Sequence, residues 1–176
     1  MEGDMENVQV RLAEPTPEGR MYYCRDPQVE NEILFFWNNI RRLKKYTIAI
    51  NSVVLEIDAN RILYSVEIMK ARVGWKIDEN VRLPEFYFPA DLTFPDLEKE
   101  RNFADLDVKV ITDPDFHVAH VKFGEENNLT KYIKLSERCF AALNENTLIG
   151  FYVNLFDAPL MVYDKFYQKS AARNHE

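Results

Sequence analysis

The chain has 176 residues, 47% of them hydrophobic and 29% charged, so it is long enough to bury a core as one domain or two small ones. Its formal net charge of −7 argues against general nucleic-acid binding, because phosphate contacts need clustered Lys and Arg; it favours solubility and is compatible with a basic partner. With 12 Phe and 9 Tyr but only 5 Gly, the composition suits half-buried strands better than long helices.

The two cysteines, Cys24 and Cys139, have no metal-ligand spacing around them. The first residues are acidic, and the sequence contains neither a signal-peptide pattern nor a long apolar run. We therefore expect a cytoplasmic protein with reduced cysteines, no membrane association, no metal ion and no other cofactor.

A first repeat follows a short N-terminal segment in which Val8 and Val10 alternate with polar residues and predict an added strand. Asp26-Pro27 is typical of a turn, and Asp58-Ala59-Asn60 predicts the turn of a hairpin. The runs that predict strands in this repeat are residues 20–24, 32–37, 46–50, 53–57 and 62–69.

A second repeat retraces this order of strands and turns. Asp113-Pro114 follows Asp26-Pro27 by 87 positions, and the Ile57–Ile68 hairpin returns as Leu143–Val153. The order of turn signals predicts an internal duplication: a mainly β protein of two tandem antiparallel β-meander repeats, related by a pseudo-twofold and packed face to face or side by side. The predicted segments are the N-terminal segment 1–19, the first repeat 20–71, a connector 72–104, the second repeat 105–158 and a C-terminal segment 159–176.

The two repeats share one apolar face and differ on the other. Positions that are apolar in both copies alternate along each strand, as one buried face of a sheet requires. The opposite face of the second strand carries Ile33, Phe35 and Trp37 in the first copy but His120 and Lys122 in the second. We therefore expect the first repeat, and not the second, to need a cover, supplied by the proline-spaced connector or by the C-terminal segment. Residues 164–173 of that segment suggest a short helix.

The order of strands and turns resembles a family of small uncharacterised bacterial β-meander domains, whose pattern is Tyr-x-Asp-Pro, a Leu-Tyr strand, then Asp-x-x-Gly-x-x-x-Gly-Ile-Glu-Ile. The resemblance spans roughly two thirds of the chain and, since the family has no established activity, it implies a fold and nothing catalytic. The first copy lacks both glycines of the pattern, and the second closes with different residues. The matching residues are Asp26-Pro27, Asp58 and Val66-Glu67-Ile68 in the first copy, and Asp113-Pro114, Asn144 and Gly150 in the second.

Two groups of side chains could carry chemistry, and both have a structural explanation. His117 and His120 are three apart on a predicted strand, so they point to opposite faces and cannot share a metal ion. Asp113, Asp115 and His117 cluster near a turn, but no nucleophile with a base, glycine-rich phosphate loop or paired-carboxylate motif accompanies them. We interpret Asp113 as a turn residue and predict no catalytic residue.

The best candidate for partner binding is the part of the first repeat that has no counterpart in the second. It combines an aromatic strand face with the basic loop that follows it, whereas the corresponding loop of the second repeat is acidic (Glu125, Glu126). The residues of this candidate surface are Ile33, Phe35, Trp37, Arg41, Arg42, Lys44 and Lys45.

These observations favour a non-enzymatic protein-binding or regulatory protein, such as an immunity-like or phage-encoded inhibitor, either monomeric or homodimeric. The alternative is a small-molecule binder or enzyme with a pocket between the repeats or under the connector, lined by Trp75, Phe86 and Phe88. A third and weaker hypothesis is a nucleic-acid contact through the basic loop, which the net charge makes unlikely.

Overall fold

A computed structural model describes residues 2–15, 20–25, 31–37, 44–157 and 160–162. These residues form short and medium strands and a 3₁₀ turn at Arg72–Gly74. The strands in chain order are β1 (Glu2–Met5), β2 (Val8–Gln9), β3 (Arg11–Ala13), β4 (Arg20–Arg25), β5 (Glu32–Trp37), β6 (Lys44–Ile50), β7 (Val53–Asp58), β8 (Leu63–Ile68), β9 (Lys76–Ile77), β10 (Phe88–Pro89), β11 (Asp91–Thr93), β12 (Arg101–Ala104), β13 (Lys109–Thr112), β14 (Val118–Lys122), β15 (Lys131–Lys134), β16 (Cys139–Asn144), β17 (Thr147–Asn154) and β18 (Leu160–Val162).

The mainly β class predicted from the sequence is confirmed, and each predicted repeat forms a five-stranded antiparallel unit. The strands of the first unit lie in the order β6-β7-β8-β5-β4, and those of the second in the order β15-β16-β17-β14-β13. Corresponding strands therefore occupy corresponding places. In both units the second strand pairs with the fifth, so that a hairpin joins a three-stranded meander. The equal strand order agrees with a duplication, which stays a prediction from the sequence.

Each unit is completed by a strand that follows the other unit. β9 comes directly after the first unit but pairs in parallel with β13, the edge strand of the second. β18 comes after the second unit and pairs in parallel with β4, the corresponding edge strand of the first. A hairpin joins antiparallel strands, so a parallel partner has to come from elsewhere in the chain. Here each unit receives its parallel edge strand from the segment that follows the other unit, which ties the two units together.

The two sheets bury one common core between them. Ile48, Leu55 and Val66 of the first sheet belong to the same buried cluster as Ala141 and Phe151 of the second. The positions predicted to be core in both copies are buried wherever their side chains are described, and Cys139 is a free, buried thiol. The sheets therefore pack face to face.

The N-terminal segment adds strands to both sheets. β1 pairs with β12 at the edge of the first sheet, whereas β2 pairs with β17 of the second. The strand predicted around Val8 is thus confirmed. The helix predicted at residues 164–173 lies outside the described residues.

The connector runs across the molecule from one sheet to the other. It starts with β9 at one edge of the second sheet, reaches the opposite edge with β10, and ends with β12 beside β6 of the first sheet. Between β10 and β12, Leu92 and Phe94 are buried in the common core. The expectation that the connector covers the first repeat is wrong for residues 78–87, because the pairing of β9 and β10 places both ends of that stretch on the second sheet.

Polar residues at corresponding positions of the two units, Asp58 and Asn144, hold different segments of the chain. Asp58 Oδ1 accepts hydrogen bonds from the backbone N–H groups of Asn60 and Ile62, both at 2.9 Å. Asn144, in the corresponding turn, donates from Nδ2 to the Glu125 carbonyl oxygen and accepts from the Thr130 hydroxyl. Asp58 thus holds its own hairpin turn, whereas Asn144 holds the loop between β14 and β15.

Gly150 in β17 lies where the backbone of the neighbouring strand β14 approaches closely. A Cβ atom at this position would lie 2.4 Å from the Val121 carbonyl oxygen of the neighbouring strand. Because that oxygen is backbone and cannot rotate away, we expect Gly150→Ala to lower the free energy of unfolding by about 1–3 kcal/mol. Urea denaturation followed by circular dichroism measures the change.

Gly74→Ala is the matched control. Its Cβ atom would meet only the flexible side chain of Lys70, at 3.1 Å. We expect a much smaller effect there, and equal destabilisation by the two substitutions would contradict the close strand approach at Gly150.

Candidate functional site

The outer face of the second sheet carries a row of aromatic side chains. Phe140 of β16 is directly opposite Tyr152 of β17, which is directly opposite His120 of β14. The His120 and Tyr152 rings stack with their centroids 4.0 Å apart and an interplanar angle of 10°. All three side chains are buried, although they lie on the face that points away from the common core.

Residues 78–87 of the connector, here named the strap, cover this row. Val81 is buried against Phe140 and Tyr152, and Leu83 packs on the same cluster. The Asp78 backbone N–H donates to the Thr112 carbonyl oxygen and fixes the start of the strap. β16 and β17 are consequently buried on both faces, whereas β7 alternates between buried and half-buried positions.

An exposed aromatic group lies where the strap meets β10. It consists of Phe86, Tyr87 and Phe88 and is here named the aromatic tip. Phe86 is 85% exposed and Phe88 42% exposed. Tyr87 anchors the group, because its ring meets that of Phe140 edge to face at 4.9 Å and lies 5.5 Å below the Lys134 ammonium. The tip is therefore fixed to the sheet through the Tyr87 ring, although that ring is itself 46% exposed, and Phe86 is its most exposed side chain.

A polar cluster borders the aromatic row. The Tyr152 hydroxyl lies 3.0 Å from both carboxylate oxygens of Glu126, and His120 Nε2 is 3.9 Å from Glu126 Oε1. Burial, with a contribution from the Lys122 charge, lowers the pKa of His120 to about 4. Burial also raises the pKa of Tyr132 and of Tyr152, and the Glu126 charge adds to both shifts.

At neutral pH this cluster consists of a neutral imidazole, protonated phenols and a carboxylate that accepts hydrogen bonds. Its chemical effect is to join the loop after β14 to the sheet. The same loop is held by the Asn144 side chain, which bonds the Glu125 carbonyl oxygen and the Thr130 hydroxyl. We interpret the cluster as part of the scaffold and assign it no proton transfer.

The turn at Asp113 is explained by backbone hydrogen bonds, as the sequence predicts. Asp113 Oδ1 accepts from the N–H groups of His117 and Val118, both at 2.7 Å. Burial acts to raise the pKa of Asp113, but the hydrogen bonds from Val118, His117 and Asp115 outweigh it and hold that pKa below its usual value. The ligand atoms of Asp113, Asp115 and His117 lie within 4.8 Å of one another, but Asp113 is already occupied by the turn. His120 lies away from them, on the outer face of the sheet, as expected.

The predicted partner-binding surface on the first repeat is described only in part. The backbone register aligns Ile33 with Glu67 and Phe35 with Ser65, while Trp37 ends β5. Arg41 and Arg42 lie outside the described residues. Lys44 and Lys45 are exposed at the start of β6; Lys44 pairs with Glu56, and the Lys45 ammonium lies 5.3 Å from the centre of the Tyr46 ring. This surface stays a prediction.

The predicted pocket lined by Trp75, Phe86 and Phe88 is not formed. Trp75 is buried next to β9, where its indole N–H donates to the Lys70 carbonyl oxygen at 2.8 Å. Phe86 and Phe88 lie at the β10 edge, on the opposite side of the same sheet. Sequence reasoning grouped these residues because they belong to one connector. The connector crosses the full width of the sheet, so its two ends lie far apart.

Another pair that sequence reasoning missed links the two sheets. The buried carboxylate of Glu32, at the start of β5, accepts a hydrogen bond of 2.6 Å from Arg72 Nε. The Arg72 guanidinium also lies over the rings of Trp75 and Phe116. The two residues are 40 positions apart, and the sequence contains no spacing signal for such a pair.

No model of a known protein family matches the sequence, and no curated protein sequence matches it either. The resemblance to small bacterial β-meander domains therefore stays a prediction. In the part of the chain that the structure describes, no helix is long and apolar enough to cross a membrane.

The lowered pKa of His120 predicts a specific loss of stability in acid. The folded protein binds this proton only near pH 4, whereas the unfolded chain binds it near the ordinary value of 6.5. The stabilising contribution of the neutral imidazole is therefore present above pH 6.5 and is lost as the pH falls toward 4. Between about pH 7 and about pH 5 we expect this group alone to cost about 2 kcal/mol.

His120→Phe keeps a flat ring against Tyr152 but cannot take up a proton. We expect its free energy of unfolding to fall less steeply over this pH range than that of the wild type. Urea denaturation at several pH values compares the two slopes. His117→Phe is the control, because the His117 side chain is 48% exposed. A slope for His120→Phe equal to the wild-type slope would show that His120 is not the group that titrates.

Proposed function

We propose that this protein is a non-enzymatic binding protein that acts on another protein through the aromatic tip. The regulatory role predicted from the sequence, that of an immunity-like or phage-encoded inhibitor, belongs to this proposal. The observation that carries it is the exposure of Phe86 and Phe88 on a segment that is anchored on both sides.

The anchoring distinguishes the tip from an incidental exposed side chain. Tyr87 packs on Phe140, and Phe88 and Pro89 pair with Ile133 and Lys134 of β15. A backbone that is held before binding loses little conformational entropy when a partner covers its side chains. Aromatic residues of this kind supply most of the binding energy in many protein interfaces.

The contact is expected to use side chains and not strand addition. β10 is an edge strand of two residues, and Pro89 has no backbone N–H to offer to an added strand. A partner would therefore have to receive the rings in a complementary apolar surface.

The alternative of a pocket between the repeats receives no support from the described residues. Phe94 and Leu97 of the connector are buried in the same cluster as the inner faces of both sheets. The space between the sheets is thus occupied by the protein's own side chains in the part that is described.

A photo-crosslinking aromatic amino acid at position 86 tests the proposal in the cell that makes the protein. We expect one prominent protein adduct, which mass spectrometry identifies. The same residue at position 73 is the control, because Val73 is apolar and 93% exposed but lies near the opposite edge of the sheet. Absence of an adduct at 86, or the same adducts at both positions, would contradict a contact at the tip.

The identified partner then allows a quantitative test with purified proteins. We expect Phe86→Ser/Phe88→Ser to weaken its binding by at least about tenfold, because two central anchors are lost. Isothermal titration calorimetry measures the affinity, and circular dichroism checks that the variant is folded. Binding at the wild-type affinity would refute the proposal.

A further inference from the structure

The aromatic tip is flanked by cations that form no ion pair with any residue of the described part of the chain. Lys134 pairs with Pro89, and Lys131 lies two residues before Ile133, the partner of Phe88. Arg82 is exposed in the strap and donates to the carbonyl oxygens of Glu79 and Val81. Among the residues that the structure describes, none of these three cations forms an ion pair.

Three lysines elsewhere in the described part of the protein are paired, whereas Lys70, Lys76 and Arg101 also form no ion pair among the described residues. Lys44, Lys109 and Lys122 each have a carboxylate within 4.0 Å. The whole chain has a net charge of −7, so unpaired cations around an apolar group run against its overall balance. Acidic residues also lie nearby in the sequence: Glu79 and Glu85 in the strap and Glu137 beyond the end of β15 are all exposed.

The two lysines flank the tip on different sides. Lys134 lies over the Tyr87 ring on the outer face of the sheet. Lys131 pairs with Leu143, a residue of the inner face, yet is itself exposed because it lies near the edge. A segment that crosses Phe86 and Phe88 would therefore meet a positive charge on each side.

We propose that the aromatic tip receives an acidic segment of the partner protein, in which apolar anchors alternate with Asp or Glu. This inference rests on the proposed function and adds the chemistry of the partner. The apolar anchors cover Phe86 and Phe88, while the carboxylates approach Lys131, Lys134 and Arg82. Such charges chiefly raise the rate of association and select the partner, and the buried rings supply the affinity.

A single-stranded nucleic acid also combines negative charge with flat rings, but the observations favour a protein segment. Three cations would meet few phosphates, and the net charge of −7 repels a polyanion at long range. A short acidic peptide carries less charge and brings side chains that can bury two phenylalanines.

The test is an NMR titration of the ¹⁵N-labelled full chain with synthetic probes. The first probe is a peptide in which Leu and Trp alternate with Asp and Glu; the second replaces every acid with Lys; the third is an oligothymidylate. We expect the acidic peptide alone to shift the amide signals of residues 85–88 and 131–134, with an affinity that falls as salt is raised. Stronger binding of the basic peptide or of the oligonucleotide, or no binding of the acidic peptide, would overturn the inference.

Two variants separate the failure of this inference from the failure of the proposed function. We expect Lys131→Glu/Lys134→Glu to weaken the binding of the acidic peptide by about three- to tenfold. Lys76→Glu/Arg101→Glu, at exposed positions in β9 and β12, is the control and should leave the affinity unchanged. The distinguishing outcome is that the protein identified by crosslinking binds the Phe86→Ser/Phe88→Ser variant more weakly but the Lys131→Glu/Lys134→Glu variant at the wild-type affinity. In that case the tip is a binding site, and the inference that its partner is acidic is refuted.

Discussion

The edges of the two sheets constrain the rest of the structure. An edge strand exposes a row of backbone donors and acceptors, which proteins must pair or cover. Here the edge strands β4 and β13 are each paired by a strand from beyond the other unit, β18 and β9. β9 lies at one edge of the second sheet and β10 at the opposite edge, so the connector crosses that sheet before it reaches β12 on the first sheet.

The route across the outer face accounts for the unusual burial of the second sheet. A sheet in a two-layer sandwich ordinarily has one dry and one wet face. The strap instead covers Phe140 and Tyr152, and His120 is buried beside them. In this poorly hydrated setting the charged forms of the imidazole and the phenols are disfavoured, which is why the pKa of His120 falls while that of Tyr152 rises.

The strands and turns could be predicted because their signals are local. Alternation marks the core face of β7, and Asp58 is a turn residue whose short side chain bonds the backbone two and four residues on. The pairing of β9, β10 and β12 could not be predicted, because strands of two to four residues have no measurable periodicity. The covered outer face had a signal that was overlooked. Residues 139–143 and 148–153 are almost continuously apolar, as strands buried on both faces are.

The position of the candidate site follows from this division between scaffold and connector. The five-stranded units have the same strand order, so what they share serves the fold. The aromatic tip lies on the segment between them, and that segment has no second copy in the described part of the chain. The tip lies at the end of the strap. Tyr87 packs on Phe140 of the sheet, whereas the Phe86 side chain is exposed. An exposed phenylalanine contributes nothing to the core at this point, and the proposed contact with a partner would bury it.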